Sequence, residues 1–217
     1  MPPTQPDGYL ARPSSGAGHP VLVLHPWWGL NSTIKGVCDR LAEAGFLTFA
    51  ADLYHGRVTD NIPEATTLSS ALFDNLDQPR ADVAAAIGYL SELTGPNAGG
   101  LAVVGFSLGG FFALHASVSA PDQIRSVVVF YATRPGDYSG AQAEYLGHFA
   151  ETDAEEPEEN VVELEEALKS AGRPVTFYRY PGTGHWFFEP DRVQAYNPAA
   201  AGLAWERTLA FLKRSST

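Results

Sequence analysis

"LAVVGFSLGGFFALHA", residues 101–116, sets one serine between two apolar runs and fences it with glycines. The run over 101–107 is nearly unbroken and β-rich, the pattern of a strand buried on both faces. The run over 107–120 has the composition of a helix and follows with no intervening loop. A G-x-S-x-G motif directly after a strand and directly before a helix puts its serine on a sharp, strained turn that lifts the hydroxyl off the sheet. Side chains at Gly105 or Gly109 would collide with adjacent backbone. The helix that starts at Ser107 aims its unused N–H groups and positive dipole end at the same point. Ser107 therefore reads as a nucleophile, with a small polar residue in a tight turn as the alternative.

Outward from that stretch, short β-rich runs alternate with helical patterns along the whole chain. Strands are expected over 20–26, 47–54, 101–107, 126–132, 144–150 and 175–181. Helices are expected over 31–45, 79–95, 107–120, 157–172 and 200–214. Asn31 and Ser32 are able to cap the first helix and Gly45 stops it, while Pro79 opens the second where a proline is tolerated. The segment 55–78 has weak periodicity and reads as an excursion with a short helix beside the site. This alternation predicts an α/β fold, one domain over 1–217, with a mostly parallel twisted sheet covered by helices on both faces. Right-handed crossovers gather the loops after the strands on one edge, where open α/β sheets bind ligands.

The loops at that edge carry the rest of a catalytic set. The chain order Ser, then Asp or Glu, then His is that of α/β-hydrolases. "EYLGHFAETDAEEP" puts Asp153 just after a strand, with Glu151 and Glu155 beside it, and Asp52 ends an earlier strand. "VTFYRYPGTGHWFF" puts His185 in a Gly-containing loop after the last strand. His115 falls inside a helix and His148 inside a strand, and His19 and His55 lie in loops at the wrong points of the chain. The expected triad is Ser107 as nucleophile, His185 as base and Asp153 as the acid that orients it. For the oxyanion, the elbow supplies the N–H of Leu108. "HPWWGLN" (25–31) supplies a second from Trp27, since Pro26 has none, with Trp28 as a further candidate.

Composition narrows the partners. The 217 residues carry 25 Asp and Glu against 14 Lys and Arg, a net charge of −11, with no basic cluster to meet a phosphate backbone. Most of the acidity in 151–167 reads as a solvated helix whose first-turn acids suit its dipole. No apolar run approaches the roughly 20 residues that span a bilayer, and no signal-like segment opens the chain, so a cytoplasmic protein is expected. Cys38 is the single cysteine and no His/Asp cluster has ligand spacing, so neither metal nor cofactor is expected.

Taken together, "VLVLHPWWGLNSTIKGVCDRLAEAGFLTFAADLYHGR", "GFSLGG", "HFAETDAEEP", "YPGTGHWFF" and the closing "WERTLAFLK" resemble the dienelactone hydrolase family over roughly Gly8 to Lys213. The resemblance implies a compact α/β-hydrolase without a large lid, monomeric and metal-free, acting on small esters or lactones. Three positions depart from the family's usual pattern: Ser107 stands where a cysteine is usual, and Pro26 stands where a glutamate controls that thiol. Glu189 stands where an arginine binds a substrate carboxylate, so an anionic substrate would be repelled unless Arg57, Arg80 or Arg134 supplies a cation. The pocket rim is expected to collect Trp27, Trp28, Trp186, Phe187, Phe188, Tyr54 and Tyr131, an aromatic lining suited to an uncharged ester. A dienelactone lactonase proper and a non-hydrolytic binding protein of the same fold are the alternatives.

Overall fold

A computed structural model describes residues 3–95 and 99–215. Among them, seven strands alternate with six helices in the order β1 (Gly8–Ala11), β2 (Pro20–Leu24), α1 (Ser32–Glu43), β3 (Leu47–Ala51), α2 (Ile62–Asp74), α3 (Asp77–Thr94), β4 (Leu101–Phe106), α4 (Leu108–Ser119), β5 (Ile124–Phe130), β6 (Glu144–Ala150), α5 (Glu158–Ser170), β7 (Val175–Tyr180) and α6 (Pro198–Ser215). The strands form one sheet in the order β1-β3-β2-β4-β5-β6-β7, parallel except for β1, which runs antiparallel to β3.

The two-residue period of a strand sorts the core into two layers. In β2, Leu22 and Leu24 join a cluster with Val103, Val127 and residues of α3, α4 and α5. Val21 and Val23 point the other way, into a cluster with Val104, Val128 and residues of α1 and α6. All five residues of β2 and all six of β4 are buried, as required of central strands covered on both faces. Helix α1 starts where expected, with the Asn31 side chain accepting a hydrogen bond from the Ile34 N–H at 3.1 Å.

Two elements differ from expectation. β1 went unpredicted because "GYLA" is only four residues long and gains its place from pairing with β3. The 55–78 excursion holds not a short helix but the 13-residue α2, capped by Asn61. Its buried face is Ala65, Ser69 and Leu72, and a face with only one large apolar residue leaves a faint apolar period.

The elbow is forced by close packing. Ser107 has φ +47°, an uncommon conformation for a residue with a side chain. A Cβ on Gly109 would lie 2.2 Å from the Leu24 carbonyl oxygen, and one on Gly105 would lie 2.5 Å from that of Gly109. By contrast, Gly36 inside α1 has open space around it. Gly109→Ala is expected to cost about 2–4 kcal/mol and lower Tm by about 5–15 °C. Gly36→Ala should leave Tm unchanged or raise it slightly, by up to about 1 kcal/mol of helix propensity. Thermal denaturation followed by circular dichroism checks both, and a Gly109→Ala protein as stable as wild type would contradict the packing account.

Candidate active site

Three of the strands that end at the carboxyl edge each deliver one residue of the candidate site. Ser107 follows β4 directly, Asp153 follows β6 and His185 follows β7. The Ser107 Oγ lies 2.9 Å from His185 Nε2, and His185 Nδ1 lies 2.8 and 3.0 Å from the two oxygens of Asp153. His185 and Asp153 are almost wholly buried, with side chains 7% and 5% exposed. Asp153 Oδ1 also accepts the backbone N–H groups of Glu155 and Glu156, each at 3.0 Å, which fixes the carboxylate in its own loop.

The other acids weighed from the sequence do different work. Glu151 accepts the Gly182 N–H at 2.8 Å, and the Thr152 N–H donates to the Thr183 carbonyl, so the acid loop and the histidine loop are joined. Asp52 accepts the N–H groups of Tyr54 and Gly56 in a turn. His148 is fully buried between the Tyr180 and Thr208 hydroxyls, and burial lowers its pKa to about 3.

Beside Ser107 is a cleft of about 220 Å³, lined by Trp27, Ser69, Phe73, Leu108, Phe111, Thr133, Glu155, Glu156, His185 and Trp186. Larger depressions, of about 600 Å³ near Glu92 and Gln123 and about 530 Å³ between α1 and α6, lie away from the Ser107–His185 pair. Trp27 and Trp186 lie nearly parallel with ring centroids 6.4 Å apart, and the Trp27 indole donates to Ser69 Oγ on α2 at 2.6 Å. Leu108 opens α4, where helix N–H groups have no acceptor within the helix.

The aromatic rim is smaller than expected. Trp28 is buried behind Trp27 and Trp186, with Arg192 stacked 4.1 Å from its ring centroid. Tyr54 is buried against His25, and Phe187 and Phe188 belong to the α1–α6 layer. Tyr131 lies behind His185 rather than on the cleft wall, with the two ring centroids 4.8 Å apart. Ser69, Phe73, Phe111, Thr133, Glu155 and Glu156 line the cleft in place of these. Phe111 was the legible one, four residues after Ser107 on the helix that begins there.

Glu189 also requires correction. It does not face the cleft but is fully buried, accepting the Tyr131 hydroxyl at 2.5 Å, with its second oxygen unpartnered. Burial pushes its pKa up to about 8, against the lowering effect of the Tyr131 hydrogen bond. Burial, then the Glu189 charge, holds Tyr131 well above the ordinary tyrosine range. None of the three arginines weighed as substrate cations lines the cleft: Arg57 pairs with Glu64, and Arg134 stacks on Phe111 and borders a neighbouring depression. Burial raises the pKa of Glu156, opposed by the Thr133 hydroxyl that this carboxyl accepts at 2.6 Å. Among the described residues no group of three His, Cys, Asp or Glu could hold a metal ion, and no helix is long and apolar enough to cross a membrane.

Residues 7–216 match the dienelactone hydrolase family. "Protein usf" of Aquifex pyrophilus is 33% identical, over 97% of this chain and 94% of that protein. A "Putative carboxymethylenebutenolidase" of Aquifex aeolicus is 30% identical, over 95% and 92%. The crystal structure of a "Putative Dienelactone Hydrolase" from Klebsiella pneumoniae superposes with a TM-score of 0.82 at 26% identity, over 95% of this chain and 92% of that one.

The buried Glu189 makes stability depend on pH. Its pKa is raised in the folded state, so folding retains a proton that the unfolded chain releases. This contribution is full below about 4.5 and is lost as pH rises toward about 8. Glu189→Gln keeps an acceptor for Tyr131 but cannot titrate. The Tm of the variant relative to wild type is expected to increase by about 5 °C or more between the acidic and alkaline ends of that window. Parallel Tm-versus-pH curves for the two proteins would contradict the assignment.

Proposed function

The chain belongs to the dienelactone hydrolase family, and from that premise we propose that it is a serine hydrolase cleaving a small carboxylic ester or lactone through an acyl-enzyme. The observation that carries the reading is the continuous hydrogen-bonded chain from Ser107 through His185 to Asp153. His185 Nε2 takes the Ser107 proton as Oγ attacks the acyl carbon. Asp153 holds the Nδ1–H tautomer and stabilises the imidazolium that forms. The Leu108 and Trp27 backbone N–H groups meet the developing oxyanion, which is where fixed donors act most strongly.

Collapse of the tetrahedral intermediate expels the alkoxide, which recovers a proton from His185. In a lactone that alkoxide stays tethered to the acyl group. Water then repeats the sequence against the acyl-serine and releases the acid. The cleft of about 220 Å³ is below the roughly 300–1,000 Å³ usual for drug-sized ligands, which suits a short acyl group or a single small ring. Trp27, Trp186, Phe73 and Phe111 supply its apolar contact.

A serine is consistent with the rest of the loop. A thiolate needs a charge-controlled setting, whereas a hydroxyl depends on its histidine as base. Pro26, where the family resemblance implies an acid, together with the hydrogen-bonded His185–Asp153 pair, is the combination a hydroxyl nucleophile uses.

Ser107→Ala is expected to lower kcat/KM for short-chain aryl esters by about a thousand-fold or more, with Tm kept. Asp153→Asn should lose about 10²–10⁴-fold, because the amide favours the wrong imidazole tautomer. Glu151→Gln, which retains an acceptor for Gly182, should stay within about five-fold of wild type. Steady-state kinetics on the three variants test this. Full turnover in Ser107→Ala, or a larger loss in Glu151→Gln than in Asp153→Asn, would overturn the assignment.

A further inference from the structure

The charge lining the cleft is of one sign. Among the described residues, Glu155 and Glu156 border it together with the Ser107–His185 pair, and no Lys or Arg does. Nor is either carboxyl in an ion pair with a basic side chain there; Glu156 is held by the Thr133 hydroxyl, and Glu155 is exposed. The remaining lining is rich in aromatic faces. Trp27 and Trp186 lie within 7° of parallel, and Phe73 meets Phe111 edge-on at 5.4 Å between centroids. Aromatic faces carry negative potential, and tryptophan is the strongest of them as a partner for a cation.

Among the described residues no basic side chain borders the cleft itself, and Arg134 lies over the Phe111 ring from the side of the adjoining depression, which it borders with Glu163. Arg192 pairs with Asp191 and stacks on Trp28, behind the cleft. Arg57 pairs with Glu64 at the start of α2. A carboxylate on the substrate would thus meet two carboxyls and four aromatic rings. An ammonium or trimethylammonium group would find complementary partners in the same two carboxyls and four rings.

Resting on the serine hydrolase reading above, we propose that this cleft selects esters carrying a positive charge a few bonds from the ester over neutral isosteres, and disfavours those carrying a carboxylate. Glu155 and Glu156 are then specificity-determining residues, and the Trp27–Trp186 pair is the face on which the cation rests. The bonds made and broken are those of ester hydrolysis. The acyl carbon passes from the ester oxygen to Ser107 Oγ and then to water, and the charged alcohol leaves with the proton from His185.

Three esters of similar size separate the charge from the shape: acetylcholine, its neutral isostere 3,3-dimethylbutyl acetate, and an anionic monoalkyl succinate. Wild-type kcat/KM at low ionic strength should favour acetylcholine over the isostere by about ten-fold or more, with the succinate below the isostere by a similar factor. In a Glu155→Gln/Glu156→Gln double variant the acetylcholine-to-isostere ratio should fall to about two or less, since the ratio cancels any loss of turnover common to both. The amide that Glu156→Gln introduces still accepts from Thr133, and the backbone bonds to Asp153 do not depend on the side chains.

Binding is read apart from catalysis in Ser107→Ala, by tryptophan fluorescence titration with choline and with 3,3-dimethyl-1-butanol. Choline is expected to bind about ten-fold tighter. Equal affinities, a wild-type ratio near one, or a ratio unchanged in the double variant would each overturn the charge preference while leaving the hydrolase reading intact. Failure of wild type to hydrolyse any of the three esters or a short-chain aryl ester, with choline still bound selectively, would overturn the hydrolase reading and leave the charge preference standing.

Discussion

The backbone of α4 approaches β2 so closely that no side chain fits between Gly109 and the Leu24 carbonyl oxygen. The top of the sheet is organised by that contact. It brings the start of the helix down onto the strand ends and turns the chain through Ser107 at φ +47°. The same turn stands the Ser107 hydroxyl above the sheet, beside the first N–H groups of α4. Strain of this kind persists only where surrounding packing over-determines it. Here Gly105, Gly109 and Gly110 are each blocked by a neighbour within 2.5 Å of a would-be Cβ.

The second half of the site is a loop held from three sides. Glu151 accepts the Gly182 N–H, the Thr152 N–H binds the Thr183 carbonyl, and Tyr131 at the end of β5 donates to Glu189 four residues past the histidine. His185 is thus fixed between the Tyr131 and Trp186 rings before any substrate arrives. Such pre-organisation is how an imidazole keeps the tautomer and direction that base catalysis needs.

Much of this was legible in the amino-acid sequence, for definite reasons. The central strands β2, β3 and β4 are apolar runs buried along their whole length, and burial on both faces writes that pattern without reference to neighbours. Ser107, Asp153 and His185 could be singled out because each loop has a fixed place in the chain order of the fold, and the three side chains lie within hydrogen-bond distance one after the next. What sequence could not supply was direction. Trp27 and Trp28 are adjacent, yet one lines the cleft and the other is buried beneath it. Tyr54 and Tyr131 sit at strand ends but turn their rings inward. Glu189 looked like a charge facing substrate and proved to be a buried partner of Tyr131. Helix α2 was faint because its buried face is alanine, serine and one leucine, so Ser69 and Phe73 could not be placed at the cleft.

The central claim is that Ser107 carries the acyl group during turnover. Rapid quenching of the enzyme during hydrolysis of an activated aryl ester, followed by mass spectrometry of its peptides, reads this directly. The account predicts a burst of released phenol and one acyl group on the peptide containing Ser107. Turnover with no acylated peptide, or with the acyl group on any other residue, would contradict it.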